Sequence, residues 1–295
     1  MRLGFVGAGR IGRPMVQRLV AAGHLTRVLA RSEPTRRALV SDGAGVVPEP
    51  TEVAKGAEAV LICVHTDEQV RQICLGERCD GGGLLAAMSA GSVLVVHTTG
   101  SPVTTAALVE RAAEHGVQVV DAPISGGPQD VAAGRVTLLV GGSDVALDLV
   151  RPALTCYGDP VLHLGPAGSG QSAKLINNAL FTANIGLVAH ALGLGAGLGL
   201  EQSALLAALQ QGSAASRALD LIANRGSVTA FAASVGEFID KDMAVVRTVV
   251  DDLGGDLGPL EAAYQSVTAL TQPSAPAPAR LAPISSDGGH RGLSW

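Results

Sequence analysis

The chain is short of aromatics, cysteines and net positive charge, and each shortage removes a class of function. Phe, Trp and Tyr together make up 2% of its 295 residues. No aromatic belt or basic flank therefore marks the one long apolar stretch, Leu175–Leu200. That stretch is uncharged, yet it holds Asn177, Asn178, Thr182, Asn184 and His190 as well as Gly186, Gly193, Gly195, Gly197 and Gly199. Lipid would leave such polar groups unsatisfied, so the pattern predicts a helix buried between domains or subunits rather than a membrane span. With 21 basic against 26 acidic residues and a net charge of −5, there is no electrostatic reason to expect nucleic acid or an anionic membrane as a partner. Cys63, Cys74, Cys79 and Cys156 lack paired metal-binding spacing and follow no secretory segment. Reduced thiols in a cytoplasmic enzyme are expected, with Cys63 packing as a small hydrophobe.

Glycine is abundant, at 38 residues, and its placement is more telling than its number. The chain begins Met1-Arg2-Leu3-Gly4-Phe5-Val6-Gly7-Ala8-Gly9-Arg10-Ile11-Gly12, a short apolar run with no room for a signal peptide. An apolar-periodic stretch follows (Met15, Val16, Leu19, Val20) and closes at Gly23. Strand, G-x-G-x-x-G turn and helix together form the context a dinucleotide needs. Gly7 permits the tight turn, Gly9 lets backbone amides approach a pyrophosphate, and Gly12 allows close helix–strand packing. Arg10 and Ile11 lie within the same turn. At the end of the second strand an NAD site carries Asp or Glu for the ribose 2′-hydroxyl. Here Ala30 is followed by Arg31 and Ser32, with Arg36 and Arg37 close behind. Guanidinium and hydroxyl suit a 2′-phosphate, so NADP(H) is preferred, with NAD(H) the alternative.

A second glycine turn, Gly168-Ser169-Gly170, opens a long helical pattern that carries Lys174 and Asn178 four residues apart, on one face. An ammonium at the mouth of an apolar helix, with an amide one turn on, suits protonation of a carbonyl oxygen. Between the two glycine turns, apolar runs at Leu3–Val6, Arg27–Leu29, Ala59–Val64, Val93–Val96, Val117–Val120, Val136–Val140 and Val161–Leu164 alternate with helical patterns near 12–22, 34–41, 67–75, 102–115 and 144–154. This alternation predicts an α/β fold, an amino-terminal Rossmann doubly wound sheet. Its last strands are short, with less helix between them, which allows them to run antiparallel. Helices at 170–198, 201–210, 214–224, 240–254 and 258–270 then predict an all-α second domain linked by a long helix. Gly193-Leu194-Gly195-Ala196-Gly197 imitates a nucleotide loop, but it follows a helix and reads as that helix's end. The expected division is 1–167 for the NADP-binding Rossmann domain, 168–271 for an all-α substrate and dimerisation domain, and 272–295 for a disordered Pro/Ala-rich tail with an exposed Trp295.

Two further motifs complete a resemblance. Asp121-Ala122-Pro123-Ile124-Ser125-Gly126-Gly127 and Lys241-Asp242 join the amino-terminal fingerprint and Gly168–Asn178 in the order found in the β-hydroxyacid dehydrogenase family, which the chain resembles from Met1 to about Leu270. Ser125, Gly126 and Gly127 follow a strand at the carboxyl edge of the sheet, where exposed amides and a hydroxyl make a cradle for a substrate carboxylate. The resemblance implies a small hydroxy acid or semialdehyde as substrate, Lys174 as the proton-transfer group and Asn178 as a substrate ligand. It also implies cofactor contacts at Thr99 and Lys241. Where the family often has Leu-Pro-Asp, this chain has Val64-His65-Thr66-Asp67, which puts His65 within reach of the cofactor. An imine reductase-like enzyme is one alternative, though such enzymes usually replace the lysine. A catalytically silent NADPH-binding or scaffold protein is another. The apolar helix suggests a homodimer or a higher homo-oligomer. The substrate's far end is expected to meet Phe231, Phe238 and the 210–217 turn.

Overall fold

The structure, a computed structural model, describes residues 1–76 and 83–271; Cys79 and the segment from Gln272 to Trp295 lie outside these residues. The chain divides into one unit of Met1–Asn177 with Ala244–Val249, and a second of Asn178–Met243 with the residues from Val250 on. In the first unit the elements run β1 (Arg2–Val6), α1 (Gly12–Ala21), β2 (Leu25–Leu29), α2 (Glu33–Ser41), β3 (Gly45–Val47), α3 (Pro50–Ala54) and β4 (Ala59–Ile62). They continue as α4 (Asp67–Leu75), α5 (Gly83–Ala87), β5 (Val93–Val96), α6 (Pro102–Ala113) and β6 (Gln118–Asp121). These six strands form one sheet in the order β3-β2-β1-β4-β5-β6, with every neighbouring pair parallel.

Strand residues alternate between two cores because side chains on a strand point to opposite faces. Phe5, Ala59, Leu61, Val93 and Val95 join the cluster on one face. Val6, Val60, Ile62, Leu94 and Val96 join the cluster on the other. Burial on both faces is the mark of a parallel sheet covered by helices on each side. Cys74 belongs to the second core and Cys63 packs against the first; burial pushes both thiols up to about 12, so they remain protonated.

The sequence pattern does not foresee where the sheet ends. β7 (Ile124–Ser125), α7 (Pro128–Ala132), β8 (Val136–Val140), α8 (Asp144–Leu154) and β9 (Gly158–His163) build a separate three-stranded sheet. In it β7 is antiparallel to β8 while β9 is parallel to it. A further parallel strand needs a long crossover, and only two residues separate β6 from β7. The chain instead folds back after Asp121, which keeps an isolated antiparallel bridge to Gly141.

Beyond these strands lie α9 (Ser169–Gly197), α10 (Gln202–Gln211), α11 (Arg217–Arg225), α12 (Val228–Asp252) and α13 (Pro259–Thr271). Among the described residues α9 is the helix long and apolar enough to cross a membrane, and 44% of its most apolar window is buried within the protein. It ends at Gly197, as the glycine decoy suggested. At Gly186 an added Cβ would collide with the Ala263 carbonyl, so only a glycine lets α13 come this close. Helix α12 starts twelve residues before the expected 240. Its early residues are weak helix formers, but Ser227 caps the first turn and Phe231 packs edge-on against Phe181 at 6.4 Å. Tertiary burial overrides the local preference, and Phe231 is a core residue of the second unit.

His97, just past β5, is held under the sheet's carboxyl edge. Nδ1 lies 2.7 Å from the Ala122 carbonyl and Nε2 lies 2.8 Å from the Tyr157 hydroxyl. A carbonyl only accepts, so Nδ1 carries the proton and Nε2 accepts from Tyr157. Burial holds the imidazole neutral, with its pKa lowered from 6.5 to about 4. The unfolded chain takes up a proton below 6.5 and the folded one does not. The contribution is therefore intact at neutral pH and is lost as pH falls from 6.5 to about 4. It amounts to about 3 kcal/mol when fully developed. His97→Gln does not titrate and should lack this component. Urea unfolding at pH 7 and pH 4 checks it: equal acid losses in wild type and variant would contradict the assignment.

Candidate functional site

The amino-terminal glycine turn is built as a dinucleotide requires. Gly7 has φ 98°, and a Cβ there would strike the Cys63 carbonyl just past β4; at Gly12 it would strike the Gly7 carbonyl. Gly9 has open space around it. Helices α2, α4, α6 and α8 each carry a hydroxyl cap, from Ser32, Thr66, Ser101 and Ser143. Helix α1 has Ile11 at its N-cap and so no side-chain cap. Its positive end is therefore left to be met by an anion from outside the helix. Open space at Gly9 and an uncapped helix end fit a pyrophosphate. Arg10 is exposed beside it.

After β2, Arg31 is exposed. Ser32 uses its hydroxyl to cap α2, accepting from the Thr35 amide at 3.4 Å and sharing a bond with the Thr35 hydroxyl at 2.7 Å. Arg36 donates Nε to the Ala30 carbonyl at 2.9 Å, and Arg37 pairs with Glu33. The loop is thus ordered by its own arginine and cap, and it has no carboxylate at the strand end.

Two loops at the carboxyl edge are bound to each other. The Thr98 hydroxyl accepts from the Val64 amide at 2.9 Å and lies 3.1 Å from the Val64 carbonyl. Asp67 accepts from the Ser101 amide at 3.2 Å and from the Thr104 hydroxyl at 2.5 Å. His65 is exposed, with its amide donating to Gln69, and Thr99 is half-buried between Thr98 and Gly100.

Asp121, at the end of β6 and fully buried, organises the entry to α9. One carboxylate oxygen accepts from the Gly168 amide at 2.6 Å and the other from the Gln171 amide at 2.7 Å. A carboxylate thus caps the helix from a distant strand, where the helix dipole favours negative charge. Gly170 is essential to the approach, since a Cβ would collide with the Leu139 carbonyl. Burial pushes the Asp121 carboxyl above its usual value, against the opposite pull of the Gly168 and Gln171 amides. The Gln171 side chain, also buried, donates to the Thr98 carbonyl at 2.8 Å and accepts from the Gly100 amide at 3.0 Å. Lys174 follows three residues later and is 9% exposed.

Two of the expected site residues, Gly127 and Asn178, have partners within the chain. The Gly127 amide donates to Asp130 at 2.8 Å, at the start of α7, so that amide is already engaged and the proposed carboxylate cradle reduces to Ser125 and Gly126. Asn178 donates its side-chain amide to Asp242 at 2.6 Å, and Asp242 also lies 2.7 Å from the Lys241 ammonium. Asn178 and Lys241 therefore meet on a shared carboxylate. Sequence reasoning named Asp121, Gln171 and Asp242 as members of motifs and Asp67 as a departure from one, without giving any of them a role of its own. The one available signal was a carboxylate ending an apolar strand, where burial demands partners.

The family model for the NAD binding domain of 6-phosphogluconate dehydrogenase matches residues 2–165, and that for the NAD-binding domain of NADP-dependent 3-hydroxyisobutyrate dehydrogenase matches residues 168–278. A 2-(hydroxymethyl)glutarate dehydrogenase of Eubacterium barkeri is 31% identical over 75% of this chain and 72% of its own length. An NAD-dependent L-serine dehydrogenase of Pseudomonas aeruginosa is 32% identical over 75% and 72%. The solved 3-hydroxyisobutyrate dehydrogenase of Mycobacterium tuberculosis with L-serine is 25% identical, with a TM-score of 0.79 over 91% of this chain and 94% of that one. Fold and fingerprint define an NAD(P)-binding oxidoreductase that acts on the CH–OH group of a hydroxy acid. The chain belongs to the β-hydroxyacid dehydrogenase family.

Asp121→Asn keeps the shape but sets an NH2 against one of the two backbone N–H groups. Leaving that buried donor unpaired should lower the unfolding free energy by roughly 1–3 kcal/mol. Denaturant titration reads this directly, and unchanged stability would rule out the capping role.

Proposed function

We propose that the chain is an NADP(H)-preferring dehydrogenase that interconverts a small β-hydroxy acid and its semialdehyde, with Lys174 as general acid and base. The observation that carries this reading is a buried lysine one turn into α9, beside a helix entry pinned to the sheet's carboxyl edge. Gly7, Gly9, Arg10, Ile11 and Gly12 would hold the pyrophosphate, and Thr99 and His65 would flank the cofactor from the neighbouring loops. The nicotinamide, when bound, accepts or supplies hydride at the carbinol carbon. Lys174 Nζ gives a proton to the carbonyl oxygen in reduction and takes it from the hydroxyl in oxidation. Ser125 and Gly126 orient the substrate carboxylate, which brings the advantage of a fixed reacting geometry. Asn178 and Lys241 act as a pair through Asp242.

The names of the relatives support a substrate class. Hydroxymethylglutarate, serine and hydroxyisobutyrate are all 3-hydroxypropanoates substituted at carbon 2. We read the substrate of this chain as a member of that series. NADP(H) preference rests on Arg31, Arg36 and the missing carboxylate after β2. A homodimer rests on Ile176, Leu180, Leu187 and Leu194, which line up on α9 and are each more than half exposed.

Lys174→Ala should lower kcat for any member of the series by at least ~100-fold, while NADPH affinity in a fluorescence titration stays within about threefold. Equal loss of both would make the lysine structural. Arg31→Ala should weaken NADPH roughly ten- to a hundredfold and leave NADH nearly unchanged; parallel losses for both cofactors would remove the phosphate assignment. Sedimentation of the full chain should give a dimer that Leu187→Glu dissociates, and a monomeric wild type would end the oligomer reading.

A further inference from the structure

We infer that Gln171 is a positioning residue: its amide joins the turn carrying Lys174 to the loop carrying Thr99, so that proton donor and cofactor loop move as one body. The inference rests on the reading of Lys174 as the proton-transfer group. Gln171 is 1% exposed, and its carboxamide uses both ends on one loop, donating to the Thr98 carbonyl and accepting from the Gly100 amide. Those two partners bracket Thr99. Thr98 continues the connection to Val64 through its hydroxyl, and the Gln171 backbone amide continues it to Asp121. The ends of β4, β5 and β6 are thereby linked through one residue of α9, its side chain serving β5, its backbone amide β6, and the Thr98 hydroxyl carrying the connection on to β4.

The chemistry explains why such a link matters. Hydride and proton must be delivered to adjacent atoms of one substrate carbonyl, the hydride from a cofactor that the strand-end loops would hold and the proton from Lys174 on α9. Along a helix, Gln171 and Lys174 are separated by a rise of only about 4.5 Å. A shift of about 1 Å between donor and acceptor costs on the order of a hundredfold in rate. Without the Gln171 amide, the Thr98 carbonyl and Gly100 amide are left unpaired in a buried site. The loop then reorganises relative to the lysine, although no group that touches substrate has been removed.

The test uses the full-length chain, NADPH and the semialdehydes of the 3-hydroxypropanoate series. Gln171→Leu should reduce kcat ~10–100-fold, with KM for the semialdehyde and the NADPH dissociation constant within about threefold of wild type. Gln171→Glu is the second variant, since a protonated carboxyl offers the same donor and acceptor as the amide. Asp121 accepts from the Gln171 backbone amide and Asp67 from the Ser101 amide beside Gly100, and Lys174 follows three residues on; the two carboxylates favour the protonated acid and the ammonium opposes it. The kcat of Gln171→Glu should therefore climb toward wild type as pH falls, a limb that wild type lacks. Wild-type kcat in Gln171→Leu overturns the inference. So does a Gln171→Glu profile parallel to wild type, which still decides the matter should Gln171→Leu not fold. If wild-type turnover depends on Lys174 while both Gln171 variants behave normally, only this inference falls; if the wild type turns over nothing in the series, the proposed function itself falls.

Discussion

A single buried carboxylate, Asp121, sets the geometry at the entry to α9. Its two oxygens hold the amides of Gly168 and Gln171, and so fix where a helix of 29 residues leaves the Rossmann unit. An anion in that place is costly by desolvation and favoured by the helix end it faces. The residues around it are small because the backbone approaches the carboxylate closely. Gly170 and Gly141 both sit where a Cβ would crowd Asp121 or the backbone beside it. The turn cannot accept larger residues without displacing the carboxylate. The lysine's location is thus decided on β6, more than fifty residues earlier in the chain.

The parallel sheet was legible because both of its signals are local. Val93–Val96 and Ala59–Ile62 are continuous apolar runs, and Ser101 with Pro102 is a cap whose chemistry acts within four residues. The division of strands between two sheets was not legible, since it follows from the two-residue step between β6 and β7 rather than from any composition. The early start of α12 was hidden for a related reason: Val228 through Ile239 form helix because Phe231 and Ile239 are buried, not because they favour it.

Site residues divide along the same line. Gly7, Gly9 and Gly12 stand out in the sequence because backbone geometry demands glycine there. Lys174 stands out because a charge is rare in an apolar run. Gln171 and Asp121 carry ordinary side chains whose partners lie 47 to 73 residues away, and no spacing announces such bonds. Asn178 and Lys241 were recognised as important, but their meeting point at Asp242 requires two helices to be side by side. Gly127 shows the opposite error: an amide that looks available from composition is already taken by Asp130 three residues on.

The covering of β4 and β5 on both faces has a consequence for how such a protein can diversify. Every residue of these strands is enclosed, so an exchange there disturbs packing on one side or the other. Latitude is greater at exposed positions where the chain leaves the sheet, such as His65, than at Thr98, Gly100 and Asp67, which are held by the bonds described above. A scaffold arranged in this way can acquire a new specificity by changing its rim while its interior stays as it is.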